Sequence, residues 1–266
     1  MSDLTPRADP TGYTGRMYYR EYPPHPALAA HVECMWAACA PGGAHTHRVL
    51  PDNCVDILWQ DGGRPGFAVG MMSSAILVAS DGPLRTVAVR FKPGAAGAFL
   101  AAPLHALTDQ RADIDQLWGR SDAERLADAL WTCELSDRER IAVIEHQLLQ
   151  RLHAAGKPGD AGDLLIRRAL AALDASGGAL RIEDLAAQLG VSRQHMAALF
   201  RARVGLSPKL YARICRFRRA AAALKASPAP DWAQLALACG YFDQSHLIHE
   251  FQEFAGSAPE RFLLAA

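Results

Sequence analysis

Apolar residues along the chain follow two different spacings. Up to about residue 110 they occur in short runs, which Gly, Pro and Asp interrupt at points such as Pro41-Gly42-Gly43 and Asp61-Gly62-Gly63. Such runs predict strands over residues 16–22, 31–38, 48–60, 67–78 and 84–91. Because many short strands alternate with frequent turns, the N-terminal part is predicted to form a small β-barrel or β-sandwich.

Helical spacing replaces the short runs after Trp118. Ser121 is a candidate N-cap of one helix, and Ser136 or Asp137 is the candidate N-cap of a second. The second helix has an apolar stripe along one face, formed by Ile141, Ile144, Leu148 and Leu152. This stripe fits packing on the β-rich part, and it fits a dimer seam with a second copy equally well.

A Gly-rich stretch, AAGKPGDAG at residues 154–162, is predicted to be a linker because Pro158 cannot continue a helix. The expected fold is therefore multidomain, with α and β parts. Residues 1–118 are expected to form a β-rich domain of cupin-like character, residues 119–155 a helical linker or dimerisation segment, and residues 156–266 an all-α domain.

One pattern occurs twice in the last third of the chain. The first unit, residues 185–208, reads LAAQLGVSRQHMAALFRARVGLSP, and the second unit, residues 235–259, reads LALACGYFDQSHLIHEFQEFAGSAP. Gly190 and Gly240 match at an offset of 50, whereas the later positions match at an offset of 51. The second unit therefore has one extra residue in its turn.

Each unit is predicted to form a helix-turn-helix. Gly190 and Gly240 fit a turn that needs positive φ, and Ser192 and Asp243 fit the N-cap of the helix that follows. Apolar residues then recur at helical spacing, as Met196, Leu199, Phe200 and Val204 in the first unit and Leu247, Phe251 and Phe254 in the second. We call these second helices the reading helices, because the second helix of such a motif lies in the major groove of DNA.

The outward positions of the reading helices are the candidate base contacts. In the first unit they are Arg193, Gln194, Ala197 and Ala198, and in the second they are Gln244, Ser245, His246, Ile248 and His249. Gln can pair with adenine, Arg with guanine, and an apolar side chain can contact the thymine methyl group. A connecting helix over residues 209–226 is expected to hold the reading helices about one DNA turn apart, ~34 Å.

A local basic stretch lies within a chain of zero net charge. Residues 193–225 contain nine Lys or Arg residues and no Asp or Glu. Phosphate neutralisation needs such a local excess of positive charge and does not need a basic protein overall. The candidate phosphate contacts are Arg201, Lys209, Arg213, Arg216, Arg218 and Arg219. Glu250 and Glu253 of the second unit are expected to repel phosphate.

The C-terminal segments resemble the AraC family of bacterial transcription regulators over roughly residues 164–264. The similarity rests on GVSRQHMAALFRARVGLSP, on RICRFRRAAAALKAS, and on GYFDQSHLIHEF followed by GSAPERF. It implies base contacts from Ser192, Gln194, Ala197 and Ala198 in the first unit, and from the five positions named above in the second. Some relatives have a long polar side chain at the two alanine positions, so the first unit is expected to form fewer base hydrogen bonds.

The N-terminal half also resembles an uncharacterised domain at the front of some AraC-type regulators, through HRVLPDNCVDILW and VAVRFKPGAAGAFLAAPLHALTD. That similarity implies a role in sensing or dimerisation. The chain is therefore predicted to be a transcription regulator and not an enzyme. Its expected partners are double-stranded promoter DNA and an unknown small effector. RNA polymerase and a second copy of the chain are further candidates.

Five candidate metal ligands lie within 21 positions: Cys34, Cys39, His45, His47 and Cys54. Zinc prefers these residue types, but their spacing is looser than that of paired zinc motifs. Three interpretations of these residues remain open: a zinc site, a thiol sensor of oxidants or alkylating agents, or buried cysteines together with surface histidines. The third interpretation is favoured. No cofactor is expected, with zinc as the alternative.

His45 and His47 also fit the metal pair of cupin enzymes, although Asp52 or Asp56 would have to replace the glutamate of that site. The alternative function is thus a metal-dependent, cupin-like enzyme joined to a DNA-binding domain. The chain shows no Ser/His/Asp order, phosphate-binding loop or HExxH motif.

Large apolar residues of the N-terminal part are candidates for a ligand pocket, namely Trp36, Trp59, Phe67, Met71 and Phe91. Filling of the core is the favoured alternative for them. The N-terminus lacks a charged start followed by an apolar stretch, no apolar run reaches the roughly 20 residues of a membrane span, and the six cysteines follow no disulfide framework. A cytoplasmic location with reduced thiols is therefore expected.

Overall fold

The computed structural model describes residues 17–40, 45–62, 65–80, 82–156, 160–226 and 230–264. The N-terminal part contains eight strands: β1 (Tyr18–Tyr22), β2 (Val32–Ala40), β3 (His45–Val49), β4 (Val55–Gln60), β5 (Phe67–Val69), β6 (Ile76–Ser80), β7 (Leu84–Phe91) and β8 (Arg111–Asp113). Six of them form one antiparallel sheet in the order β1-β2-β7-β4-β5-β8, and β3 pairs with β6 in a separate ribbon. The β-rich fold is thus confirmed.

Two of the strands expected from the sequence are each divided in the structure. The expected strand over 48–60 is interrupted between β3 and β4, where Asn53 has a φ of 65° and Pro51 cannot donate a ladder hydrogen bond. The expected strand over 67–78 is interrupted between β5 and β6. There Gly70 lies so close to Leu107 that a Cβ atom would be 1.7 Å from its carbonyl oxygen. Both interruptions place loop residues of the β-rich part near other elements.

The six-stranded sheet has two apolar faces. Met35, Ile57 and Val89 align across β2, β4 and β7 and join the main core. Trp36 and Ala88 lie on the opposite face with Cys34, in a small separate cluster. Because neighbouring residues of a strand point to opposite faces, each strand contributes to both clusters.

Three helices follow the sheet: α1 (Ile114–Trp118), α2 (Arg120–Trp131) and α3 (Asp137–Ala154). Of the two candidate caps, Ser136 is the N-cap of α3, and it forms a capping box with Glu139. The prediction that Ser121 caps a helix is wrong, because α2 begins at Arg120 directly after Gly119, whose φ is 85°.

The apolar stripe of α3 packs within the chain. Ile141, Ile144 and Leu148 are buried, and α3 contacts both β2 and β7. Leu152 is half-buried against the same core. Of the two alternatives for this stripe, the structure therefore supports packing on the β-rich part and leaves no exposed seam along it.

The C-terminal part is entirely helical in its described residues. It contains α4 (Ala161–Ala175), α5 (Ile182–Gln188), α6 (Arg193–Arg203), α7 (Pro208–Ala226), α8 (Trp232–Ala238), α9 (Gln244–Ala255) and α10 (Pro259–Leu264). Helices α5 and α6 belong to the first unit, α8 and α9 belong to the second, and α7 connects them. Phe217 of α7 packs against Phe251 and Phe254 of α9. One cluster of buried residues extends from the sheet through α3 and α4 into both units.

None of the helices in the described ranges combines the length and the apolar character that crossing a bilayer requires.

Candidate nucleic-acid interface

The first unit forms the turn and cap that its sequence predicts. Gly190 has a φ of 68°, and the Ser192 side chain accepts a hydrogen bond of 3.1 Å from the backbone N–H of His195. Met196 and Phe200 of the reading helix α6 are fully buried. Because this face of α6 is buried, the opposite face must point to solvent. The side chains that a partner could contact are therefore those on the solvent-facing side of α6.

All five candidate base contacts of the first unit are exposed: Ser192, Arg193, Gln194, Ala197 and Ala198. Arg193 forms a surface ion pair of 3.3 Å with Glu183 of α5. Such a pair contributes at most about 1 kcal/mol, so Arg193 can exchange Glu183 for another acceptor at small cost.

The second unit has the same geometry. Gly240 has a φ of 80°, and Asp243 accepts a hydrogen bond of 2.7 Å from the backbone N–H of His246. Leu247, Phe251 and Phe254 form the buried stripe of the reading helix α9. Among its candidate base contacts, Gln244, Ser245 and His249 are exposed and Ile248 is half-buried.

His246 differs from the other candidates because both nitrogens of its ring have neighbours within the protein. Nδ1 accepts a hydrogen bond of 3.3 Å from the backbone N–H of Phe242, and Nε2 lies 3.6 Å from Glu250. Its ring also packs edge-on against Tyr241. The side chain therefore shapes the turn, and a base could contact only its exposed edge.

The paired geometry agrees with the family comparison. Residues 185–265 match a family model described as a helix-turn-helix domain. The C-terminal part of this chain therefore contains a helix-turn-helix domain, as the repeated pattern predicts. Residues 20–113 match a second model, described as a domain of unknown function (DUF6597), which agrees with the resemblance noted for the N-terminal half.

Solved structures of ToxT from Vibrio cholerae are similar at low identity. The 1.65 Å structure of ToxT has 13% identity and a TM-score of 0.47, and the similarity covers 86% of this chain and 97% of ToxT. A ToxT structure bound to (E)-4-(8-methylnaphthalen-1-yl)but-3-enoic acid has 14% identity and a TM-score of 0.45, with 86% of this chain and 97% of that chain covered. No curated protein matches the sequence at a comparable significance.

Two of the six candidate phosphate contacts are engaged by carboxylates of the helix-turn-helix domain. Arg213 donates to Glu250 at 2.6 Å and to Glu253 at 2.5 Å, and Arg216 donates to Glu250 at 3.3 Å and to the Gly178 carbonyl at 2.9 Å. Burial alone would lower the pKa of Arg213, but the hydrogen bonds to Glu253 and Glu250 raise it above its usual value. These two arginines therefore connect α7 to α9, and carboxylates of the same domain already balance their charge.

The same ion pairs reduce the repulsion of phosphate that is expected from Glu250 and Glu253, because they balance both charges. Only 5% of the Glu250 side chain is exposed, and two arginines balance its charge. The hydrogen bond from Arg213 lowers the pKa of Glu253, which keeps that carboxylate paired. Neither residue presents an uncompensated negative charge at the surface.

Arg218 lies at the junction with the β-rich part, where it donates to the Asp52 carbonyl at 3.2 Å. The remaining candidates, Arg201, Lys209 and Arg219, are exposed. Arg219 packs over the turn at Gly177 that precedes α5, since a Cβ atom on Gly177 would be 3.0 Å from its Cδ. The predicted basic stripe thus separates into arginines that bond within the chain and cations that are exposed at its surface.

The β-rich part contacts the C-terminal ends of both reading helices. Thr108 donates to the Gly205 carbonyl at 3.0 Å, directly after α6, and the backbone N–H of Ala75 donates to the Phe254 carbonyl of α9 at 2.8 Å. Arg48 of β3 donates to Ser257, after α9, at 3.0 Å. Among the described residues of the β-rich part, these contacts reach the C-terminal ends of the reading helices, and the N-terminal ends of both helices stay exposed.

The connecting helix has its own contact with the β-rich part. The Asn53 amide is buried, and its Nδ2 donates to the Tyr211 carbonyl at 3.3 Å and contacts the Cys215 sulfur at 3.5 Å. Both partners lie on α7. The sequence signal for this contact is modest, since asparagine is enriched at left-handed positions and Asn53 follows directly on a Pro-Asp pair.

A cleft of about 1070 Å³ lies between the β-rich part, the end of α3 and helix α4. Its apolar lining residues include Leu104, Leu152, Ile166 and Leu170. Its charged or titratable lining residues are the basic His31, Lys92, Arg167 and Arg203 and the acidic Glu33, Asp163 and Asp174. Arg203 is engaged by Asp160 at 2.6 Å and by Asp163 at 2.9 Å. Burial lowers the pKa of His31 below its usual 6.5, and the charges of Arg167 and Lys92 lower it further.

The residues expected to line a ligand pocket do not converge. Trp59, Met71 and Phe91 belong to the main core, whereas Trp36 lies on the opposite face of the sheet. The Arg111 guanidinium covers the ring of Phe67 at 3.4 Å. The large cleft is instead lined by the loop after β7 and by helices, which the strand pattern did not indicate.

The candidate metal ligands are also dispersed. Cys34 belongs to the cluster around Trp36, and Cys54, which is buried, donates to the Asp52 carbonyl at 3.5 Å. Cys39 is five positions from Cys34 along β2 and faces the opposite side of the sheet. His47 is exposed, and the side chain of His45 lies outside the described part. Within the described ranges, no three His, Cys, Asp or Glu side chains are grouped as a metal site would require.

Proposed function

We propose that this protein is a transcription regulator that binds promoter DNA through both reading helices and responds to a small anionic effector bound in the cleft. The observation that carries the proposal is the orientation of the two units. In the described residues, the N-terminal ends of both reading helices are exposed, while the β-rich part contacts their C-terminal ends through Thr108, Ala75 and Arg48. A helix-turn-helix contacts bases with the N-terminal residues of its second helix, which are the uncovered ones here.

The β-rich part is placed to influence the relative orientation of the reading helices. It contacts the end of α6, the end of α9 and, through Asn53, the middle of α7. A ligand that favours one arrangement of these contacts would change how well both helices fit successive major-groove segments. An effect of this kind is limited to the difference in ligand affinity between the two arrangements.

The cleft is the proposed effector site because both parts of the chain line it. His31 and Lys92 come from the β-rich part, and Arg167 comes from α4. Arg167 is exposed, and the charges of Arg167 and Lys92 both act on His31. Among the acidic lining residues, Asp163 is paired with Arg203 and Asp174 accepts a hydrogen bond from Tyr211, so Lys92 and Arg167 face only Glu33 as a further acidic group. Apolar walls with this small cationic excess suit a small molecule that has an apolar body and a carboxylate or phosphate group.

DNA binding is tested by selecting sequences bound by the full chain from a random pool of duplexes and measuring affinity by gel shift. We expect an enriched sequence that wild-type protein binds more tightly than a scrambled duplex. Gln194→Ala and Gln244→Ala should each reduce discrimination at one base position, by about 1–3 kcal/mol. The matched control is Gln188→Ala at the end of α5. Failure to enrich any sequence at low salt would contradict the proposal.

The effector site is tested by thermal shift with a panel of small carboxylates and phosphates that have apolar groups. A ligand that stabilises the wild-type chain should stabilise Arg167→Ala much less, since one of its counter-charges is missing. Arg168→Ala is the control, because Arg168 is exposed on the same helix and does not line the cleft. Equal stabilisation of both variants would place the ligand elsewhere.

A further inference from the structure

The extra residue of the second unit is an exposed aromatic side chain. Gly190 and Val191 of the first unit correspond to Gly240 and Tyr241, and the N-cap Ser192 corresponds to the N-cap Asp243. Phe242 lies between Tyr241 and Asp243 and has no counterpart in the first unit. It is 85% exposed, the highest value among the large apolar residues of the described ranges. Full burial of a Phe side chain is worth roughly 1.5–3 kcal/mol, so a contact that covers this ring would gain up to that amount.

The local structure holds Phe242 at one position. Tyr241 before it is buried, with 3% exposed, and Asp243 after it is fixed by its capping bond to His246. The backbone N–H of Phe242 itself donates to His246 Nδ1 at 3.3 Å. Because both neighbours and its own backbone are fixed, ordering this residue on a partner requires only the two side-chain torsions of Phe.

The surroundings of Phe242 favour DNA as that partner. It directly precedes the N-cap Asp243, which is followed by the exposed polar residues Gln244 and Ser245 at the N-terminal end of the reading helix, the end that enters the major groove. Asp243 is the one acidic side chain in this turn, and its Oδ1 is already engaged by the capping hydrogen bond. An apolar ring at this place matches the C5-methyl group of thymine, the apolar feature of the major groove.

We propose that Phe242 is a specificity residue of the second unit and selects thymine by contact with its C5-methyl group. This proposal rests on the DNA-binding function proposed above and names a contact that the first unit cannot make. It also gives the second unit a source of affinity that needs no hydrogen bond from His246, whose ring nitrogens are already in contact with Phe242 and Glu250.

The test uses the full chain and its selected duplex, in which each thymine of the second half-site is replaced in turn by deoxyuridine. Uracil differs from thymine only by lacking the methyl group. At one position the wild-type protein should lose affinity by about four-fold, the factor that corresponds to removing one buried methyl group. The Phe242→Ala variant should bind the parent duplex more weakly and should show no further loss with deoxyuridine at that position.

Leu237→Ala is the matched control. Leu237 is a second exposed apolar residue of this unit, 66% exposed, but it lies on α8 and not on the reading helix. This variant should retain the full deoxyuridine effect. Circular dichroism of both variants should be unchanged, since neither side chain is buried.

Two outcomes would overturn the proposal while leaving DNA binding intact. In one, the wild-type protein binds its selected duplex but no deoxyuridine substitution weakens it. In the other, Phe242→Ala binds every duplex as the wild type does and fails only in transcription in vitro with purified RNA polymerase, which would make Phe242 a protein contact. If no sequence is selected at all, the proposed function itself fails.

Discussion

The Glu250 carboxylate accepts a hydrogen bond of 2.6 Å from Arg213 Nε, although the two residues are 37 positions apart. This pair joins the second reading helix to the connecting helix, and Arg216 and Arg213 share the same carboxylate. Two arginines that resemble phosphate contacts in the sequence thus set the position of α9. The orientation of the second reading helix depends on a charge cluster beneath it.

The first prediction concerns Glu250→Gln, which keeps the side-chain shape and removes the charge. Arg213 and Arg216 would lose their common counter-ion in a largely buried place, so the free energy of unfolding should fall by about 1–3 kcal/mol. Urea denaturation measures the change. Glu183→Gln removes the partner of an exposed pair, whose Glu183 side chain is 52% exposed, and should change stability by less than about 1 kcal/mol. Equal effects of the two variants would show that the Glu250 cluster has no special role.

The second prediction concerns Asn53, which has a φ of 65° and bonds to α7. Asn53→Gly keeps the backbone conformation and removes the amide, so it should lower the free energy of unfolding by about 1–2 kcal/mol. Asn53→Ala should lower it by roughly 1 kcal/mol more, because a Cβ atom disfavours left-handed backbone. Both variants should also change the affinity for selected DNA. If DNA affinity is the same as in the wild type, the β-rich part does not influence the reading helices through this contact.

The third prediction concerns the thiols. Cys133 is exposed, whereas Cys34, Cys39, Cys54, Cys215 and Cys239 are buried. Burial raises the pKa of Cys34 to about 11 and that of Cys215 to about 12, which leaves almost no thiolate at neutral pH. Titration of the native protein with a thiol reagent should therefore modify one cysteine rapidly, and Cys133→Ser should abolish that phase. Rapid modification of Cys34, Cys39 or Cys54 in the native protein would instead support a thiol sensor in the β-rich part.

The fourth prediction concerns the pH dependence that His31 confers. Its pKa in the folded protein is below 6.5, so the unfolded chain takes up the proton first as the pH falls. The contribution of neutral His31 to stability is therefore present above pH 6.5 and is lost as the pH falls through the folded-state pKa. His31→Asn should lose less stability than the wild type over that range in urea denaturation. His47→Asn, at an exposed position of β3, is the control. An identical pH profile for His31→Asn and the wild type would contradict the assignment.

Local signals predicted the helix-turn-helix domain well, and the reason is physical. The N-caps Ser192 and Asp243 each bond to a backbone N–H three residues further on, and a turn glycine such as Gly190 adopts its positive φ by itself. Each of these interactions therefore lies within a short stretch of sequence. The buried stripes recur at helical spacing for the same reason. These features fix both units and the outward side of each reading helix.

The charge pairing could not be predicted in this way. Arg213 and Arg219 look alike in the sequence, yet one is paired with Glu250 and the other is exposed. Which arginine meets a carboxylate depends on how α7 crosses α9, and that crossing is set by Phe217, Phe251 and Phe254. The sequence near Arg213 therefore does not show that Arg213 meets a carboxylate, because the residues that decide it lie far away along the chain.

The cleft was missed for a related reason. Its cationic residues, His31, Lys92 and Arg167, come from three separate segments, and none of them stands out in a strand or helix pattern. The large aromatic residues that the sequence suggested for a pocket, such as Trp36, Trp59 and Phe91, instead pack on the two apolar faces of the sheet. Phe242, by contrast, had a signal in the sequence, because the second turn is one residue longer than the first.

The central claim is that both units bind DNA together with sequence preference. It is tested most directly by fluorescence anisotropy of the full chain with its selected duplex and with a scrambled duplex. The account predicts that the selected duplex is bound at least about 1,000-fold more tightly. It also predicts that Gln194→Ala and Gln244→Ala relax specificity at positions about one helical turn apart. Equal affinity for both duplexes, or a loss of specificity confined to one half-site for both variants, would contradict it.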